Sequence, residues 1–283
     1  MTTGNERPLP SSETNWRGFA APQSADGRIA LYGPPPWTFE GYAASVFLKF
    51  DPARVQHLIP SPLKLAGDPV ARLSVHDIVC DYGLGLEFVQ KNPDQARFGE
   101  AVVGFLVEYK GVVGQWCPYL WCTTDAEFAV GREFYGWPQR IGAMSLTRQP
   151  FRGWRKGDRV TGVVARGQRS VFAIGITLEH DQDLPDKVRG VTMYPPQAAA
   201  NQHYTMTALP DPVTPATVRR RLFRTPMHQV VLQNTWSGSG EVRVTAPELQ
   251  ILSDAEALGG RWSVISWVKP YPEDLLLEEA APA

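Results

Sequence analysis

Gly131-Arg132-Glu133-Phe134-Tyr135-Gly136-Trp137-Pro138-Gln139-Arg140-Ile141-Gly142 joins two kinds of local structure in one short run. From Asp125 to Trp137 the chain reads as helical, with Asp125 placed to cap it. Pro138 forces the exit, because the residue before a proline is driven out of the helical region. A helix end that feeds a strand aims side chains into the interior of a barrel or sheet. The residues around Pro138 are therefore the first place to look for chemistry.

Outward from this junction, β-rich runs alternate with turn residues at short intervals. Strands are expected at Tyr42 to Phe50, Val70 to Cys80, Glu100 to Tyr109, Pro118 to Thr123, Met144 to Arg148, Arg159 to Arg166 and Ser170 to Glu179. Strand character returns at Val230 to Thr235 and Gly240 to Val244. A short helix follows the first strand, with Asp51 as cap and Pro52 at the first helical position. The fold class is thus mainly β (α+β), an antiparallel barrel or sheet with a few short helices. Residues 1–36 are rich in Pro, Ser and Gly and read as an extended arm, and residues 37–283 as one domain.

The 283 residues carry a formal net charge of -1, and Arg219-Arg220-Arg221 is the one basic cluster. That balance excludes a basic nucleic-acid surface. No apolar run approaches the roughly 18 residues of a membrane helix, and the N-terminus lacks the pattern of a secretory signal. Cys80, Cys117 and Cys122 fit no metal or redox spacing and read as buried thiols of a cytoplasmic protein. No cofactor loop, nucleophile elbow or metal motif is found, so no cofactor and no metal are expected.

The central run resembles the active-site signature of acetoacetate decarboxylase, which reads Gly-Arg-Glu, a short variable run, Pro-Lys-Lys, one residue and Gly. Leu58-Ile59-Pro60-Ser61-Pro62-Leu63, Glu108-Tyr109-Lys110-Gly111 and Asn234-Thr235-Trp236-Ser237-Gly238 resemble further family segments, so the likeness runs from about Glu40 to about Glu273. In that family the first lysine forms a Schiff base, and acetoacetate decarboxylase is a standard instance of a lysine amine tuned for this by its surroundings. Here Gln139 takes that place and Arg140 the second lysine's. An amide cannot form an imine, and a guanidinium stays protonated.

The resemblance implies further assignments. Glu100 falls where a family carboxylate lies and is the expected acid or base. A second carboxylate would align with Ser74, and the substrate-binding arginine near Gly41, so both groups are lost. Arg140, Tyr135, Trp137, His76 and Ser74 are candidate substrate contacts, while Arg132 and Glu133 read as a structural ion pair. The expected activity is non-covalent. Gln139 polarises a carbonyl and Glu100 shuttles a proton during cyclisation, dehydration or isomerisation of a keto-acid or polyketide-like small molecule in biosynthesis. Two alternatives stand beside it: a decarboxylase or aldolase using Lys49 or Lys110, and a small-molecule binding protein without turnover. The resemblance also implies a homo-oligomer.

Overall fold

The computed structural model describes residues 31–181, 202–210 and 218–275. Its strands are β1 (Trp37–Lys49), β2 (Lys64–Leu65), β3 (Val70–Cys80), β4 (Arg97–Tyr109), β5 (Val112–Cys122), β6 (Gln139–Ile141) and β7 (Ala143–Leu146). They continue with β8 (Arg159–Arg166), β9 (Arg169–Asp181), β10 (Gln202–Pro210), β11 (Val218–Pro226), β12 (His228–Val244), β13 (Glu256–Lys269) and β14 (Glu273–Asp274). The short helices are α1 (Pro52–Val55), α2 (Gly85–Lys91), α3 (Pro93–Ala96) and α4 (Asp125–Ala129). The protein is mainly β, as its sequence implies. Of the arm expected at residues 1–36, only the last part lies within the described residues. There Tyr32 is buried, and Gly33 N–H donates to Tyr82 O at 2.8 Å.

All strands belong to one sheet in the order β14-β11-β10-β5-β4-β3-β1-β13-β12-β9-β8-β7, with β2 on β4 and β6 on β5. The pairing is antiparallel except at β5, which lies parallel to both β6 and β10. The cause for β6 is local: α4 and a following π-helical turn, Val130–Tyr135, carry the chain back so that β6 runs beside β5 in the same direction. Gly136, at φ 72°, closes that turn in the left-handed region. The cap of α4 is Thr124, whose hydroxyl accepts from Glu127 N–H at 3.4 Å, not Asp125. Asp51 and Pro52 do start α1 as expected.

Two apolar cores form because side chains alternate across each strand. On β4, Ala101, Val103, Phe105 and Val107 enter one core. Phe98, Val102 and Leu106 enter the other. Glu100 shares the parity of this second set. On β13, Trp262 joins the first core, whereas Ile265 and Trp267 join the second, and Lys269 follows them at the same spacing. The second core also holds Phe39, Leu120, Tyr135 and Trp137. Each such apolar side chain contributes roughly 1.5–3 kcal/mol by leaving water. That layer therefore carries charged groups among rings and aliphatic chains.

Candidate functional site

Adjacent strands bring the charged groups together by register. His76 on β3 stands opposite Glu100 on β4, and Glu100 stands opposite Cys122 on β5. Leu120 of β5 pairs with Gln139 of β6. From the other side, Lys269 of β13 lies opposite Trp37 of β1, and Trp267 opposite Phe39.

Glu100 is buried and accepts a hydrogen bond from His76 Nδ1 at 3.1 Å. Burial pushes its carboxyl up, but the His76 hydrogen bond and the charges of His76, Lys269 and Arg72 outweigh this and hold it below the ordinary value. His76 is lowered by burial, so the pair rests as a carboxylate with a neutral imidazole donating from Nδ1. The raised carboxyl that an apolar interior would produce belongs to a different residue. Glu127 of α4, 1% exposed, is pushed up to about 8 by burial and by the charge of Glu100. Sequence reading missed it, because an acid in the first turn of a helix looks like a solvated partner of the helix dipole.

Gln139 is fully buried, and its Nε2 donates to Glu127 Oε1 at 3.0 Å. Tyr82 donates its hydroxyl to the other Glu127 oxygen at 3.3 Å. Gly131 makes room for the amide: a Cβ there would lie 1.9 Å from Gln139 Oε1. The amide is thus engaged with Glu127 and is not among the residues lining the chamber described next.

A narrow chamber is lined by Glu100, Val102, Cys117, Leu120, Trp137, His203, Met227, Ile265, Trp267 and Lys269, with about 20 Å³ of free space. His203 Nε2 and Arg72 Nη2 both meet Gln115 Oε1 at 3.1 Å. Arginine can only donate, so that oxygen is an acceptor and His203 carries its proton on Nε2. Burial holds His203 well below its ordinary value, hence neutral. His203 Nδ1 is buried and has no hydrogen-bond partner among the described residues.

Lys269 is 3% exposed. Its Nζ lies 3.7 Å from the centre of the Trp137 ring, 4.9 Å from Phe39, 5.5 Å from Tyr135 and 5.9 Å from Trp267. Burial lowers the amine, opposed by the neighbouring acids Glu100 and Glu127. The other described lysines, Lys49, Lys64, Lys91, Lys110 and Lys156, are all exposed. Lys49 and Lys110, the lysines named from sequence as alternative nucleophiles, therefore do not reach the chamber.

A wider, open cleft of about 460 Å³ lies behind Glu100, lined by His76, Asp77, Asp94, Arg97, Met144 and Arg148 among others. Asp77 there neutralises Arg97 at 2.7 Å and Arg148 at 3.3 Å. His76 borders this cleft while bonding Glu100, which borders the chamber.

The remaining sequence candidates divide. Trp137 lines the chamber, and Tyr135 stacks on it at 4.9 Å while donating its hydroxyl to Pro270 O at 3.1 Å. Ser74 is fully buried and lines neither cavity. Arg140 faces away: it pairs with Glu248 at 2.9 Å and lies over Tyr119 and Trp121. Arg132 and Glu133 reach different partners instead of each other. Arg132 donates to Gln139 O at 3.2 Å, and Glu133 accepts from Tyr32 at 3.4 Å. At Gly41 a Cβ would strike Asp77 O at 2.1 Å, so no arginine side chain fits there. The three cysteines are free and buried. Among the described residues no helix is long and apolar enough to cross a membrane, and no metal-holding cluster forms.

Residues 20–266 match the acetoacetate decarboxylase family, and the chain belongs to that family. Lys269 lies just beyond the matched residues. Similar solved structures include an acetoacetate decarboxylase-like enzyme from Sphingomonas wittichii, 22% identical over 87% of this chain and 95% of that one, with a TM-score of 0.77. The enduracididine biosynthesis enzyme MppR complexed with pyruvate is 21% identical over 91% and 97%, at 0.77. Acetoacetate decarboxylase from Legionella pneumophila is 16% identical over 89% and 92%, at 0.70. No curated protein matches the chain.

Proposed function

We propose that this protein is an enzyme that moves a proton at the carbon next to a carbonyl of a small oxo acid, leading to cyclisation, dehydration or isomerisation in a biosynthetic sequence. One observation carries the reading: Glu100 lines a narrow, largely apolar chamber while His76 holds it ionised and itself borders an outer cleft. A carboxylate in a dry site is a competent base, and a histidine at its back provides a route by which the proton leaves. Lys269, the one amine inside, activates the carbonyl. His203 Nδ1 offers a further acceptor for a substrate hydroxyl.

MppR, seen with pyruvate, supports a 2-oxo acid as the class to test. The free space of about 20 Å³ holds about one water-sized group, so an oxo acid enters as wall side chains swing aside. Met227 is the most adaptable of them. Gln139 is a positioning residue in this scheme, fixing Glu127 behind the wall. A cytoplasmic, homo-oligomeric setting belongs to the proposal on the family likeness alone.

The test follows proton exchange into pyruvate and a panel of larger 2-oxo acids in deuterated water by NMR. The native protein is expected to exchange the protons next to the carbonyl, and Glu100→Gln to do so about 10² to 10⁴ times more slowly. Ligand-induced thermal stabilisation with neither exchange nor product would identify a binding protein instead.

A further inference from the structure

The sequence motif that resembles a Schiff-base signature holds no lysine, yet the fold carries one buried amine into the chamber from β13. We propose that Lys269 is the nucleophile of this chain and forms an imine with the substrate carbonyl, the role having passed from the helix-to-strand junction to the end of a C-terminal strand. This rests on the preceding reading and makes the activation of the carbonyl by that amine covalent.

Four observations support it. Lys269 is the single buried lysine among the described residues. Its parity on β13, shared with Ile265 and Trp267, directs it into the second core and not to solvent. Glu100, a base with a route for its proton, lines the same chamber. Among the described residues Nζ rests on ring faces and has no hydrogen-bonded or ion-paired acceptor, so what the ammonium gives up on losing its proton is its contact with those rings. Its lowered basicity increases the fraction of neutral amine at working pH.

The steps balance. The Lys269 ammonium gives one proton to the Glu100 carboxylate. The Nζ lone pair adds to the carbonyl carbon, the carbonyl π pair moves to oxygen, and an N–H proton follows to give a carbinolamine. Glu100 returns its proton to that hydroxyl, water leaves, and the nitrogen pair closes the C=N bond. In sum, ammonium plus carbonyl yields iminium plus water, with charge conserved. Glu100, again ionised, then removes a proton from the adjacent carbon, and the electron pair delocalises onto nitrogen as an enamine.

Borohydride reduction of the full-length protein with pyruvate, followed by peptide mass mapping, tests this. The expected result is a stable adduct, heavier by pyruvate less one oxygen atom, on the peptide containing Lys269. It should be absent from Lys269→Arg and Lys269→Met. Arginine keeps a cation in the ring cage but cannot form an imine, so Lys269→Arg should lose deuterium exchange into pyruvate to background while its melting temperature stays close to that of the native protein. An adduct on another lysine, or Lys269→Arg exchanging at the native rate, overturns the assignment. Exchange by the native protein with no adduct overturns the imine while leaving the proton-transfer reading intact, and absence of both overturns both. Because adduct mapping uses the native chain, an unstable variant does not decide the outcome.

Discussion

Gln139 Nε2 donates to Glu127 Oε1 at 3.0 Å, both side chains being buried. The amide at the centre of the signature thus stabilises a carboxyl one layer behind the chamber. Gln139→Ala removes that donor, and a buried polar group left without its partner costs about 1–3 kcal/mol. Chemical denaturation should show a loss in that range, with Gln139→Glu at least as costly because it sets two carboxyls against each other.

Gly131→Ala should be destabilising for a related reason. Its Cβ would overlap Gln139 Oε1, and overpacking in a filled interior costs about 1–3 kcal/mol. Combined with Gln139→Ala, the second substitution should cost much less than it does alone, a non-additivity that a double-mutant cycle would detect.

Glu127 links stability to pH. Its folded value is pushed up to about 8, above the ordinary carboxyl value of 4.5. Between those limits the unfolded chain has released the proton and the folded one retains it, so this group's contribution falls as pH rises and levels off above 8. Glu127→Gln removes the dependence. Melting curves from pH 5 to pH 8 should therefore show the variant gaining on the native protein as pH increases.

His76 holds Glu100 ionised, so its removal should move the acid limb of activity. With His76→Phe the carboxylate loses a donor and its pKa rises, shifting the limb to higher pH. His76→Gln retains a donor and should shift it less. Deuterium exchange measured against pH distinguishes this from simple loss of folding, which would lower the whole profile without moving it.

Arg140→Ala should leave exchange unchanged. The guanidinium pairs with Glu248 on the far side of β6, and a partly exposed ion pair contributes about 0.2–1 kcal/mol. A selective rise in KM for an oxo acid would instead restore the clamp role expected from sequence.

Much of the fold was legible. The runs Val70 to Cys80 and Arg159 to Arg166 coincide with β3 and β8, because β-branched residues bounded by Gly, Pro and Asp leave few other choices. The helix-to-strand junction and the Asp51-Pro52 start were equally local. β13 went unread, as Gly259-Gly260 interrupts it and its polar members Arg261, Ser263 and Lys269 are all buried. Lys269 escaped for the same reason, since a terminal lysine is ordinarily solvated. Its one signal was the two-residue spacing from Ile265 and Trp267. The Glu100–His76 pair could be approached through the family likeness, but its register is a long-range fact. Glu127 becomes visible only with α4 folded against β6, where it meets Gln139.

On the proposed mechanism substrate binds in the small chamber and not in the larger, open cleft bordered by Arg97 and Arg148. A crystal structure after soaking with pyruvate decides this most directly. The predicted result is density between Glu100 and Lys269, with Met227 or Trp137 displaced. Pyruvate held only in the outer cleft, with the chamber walls unmoved, would contradict it.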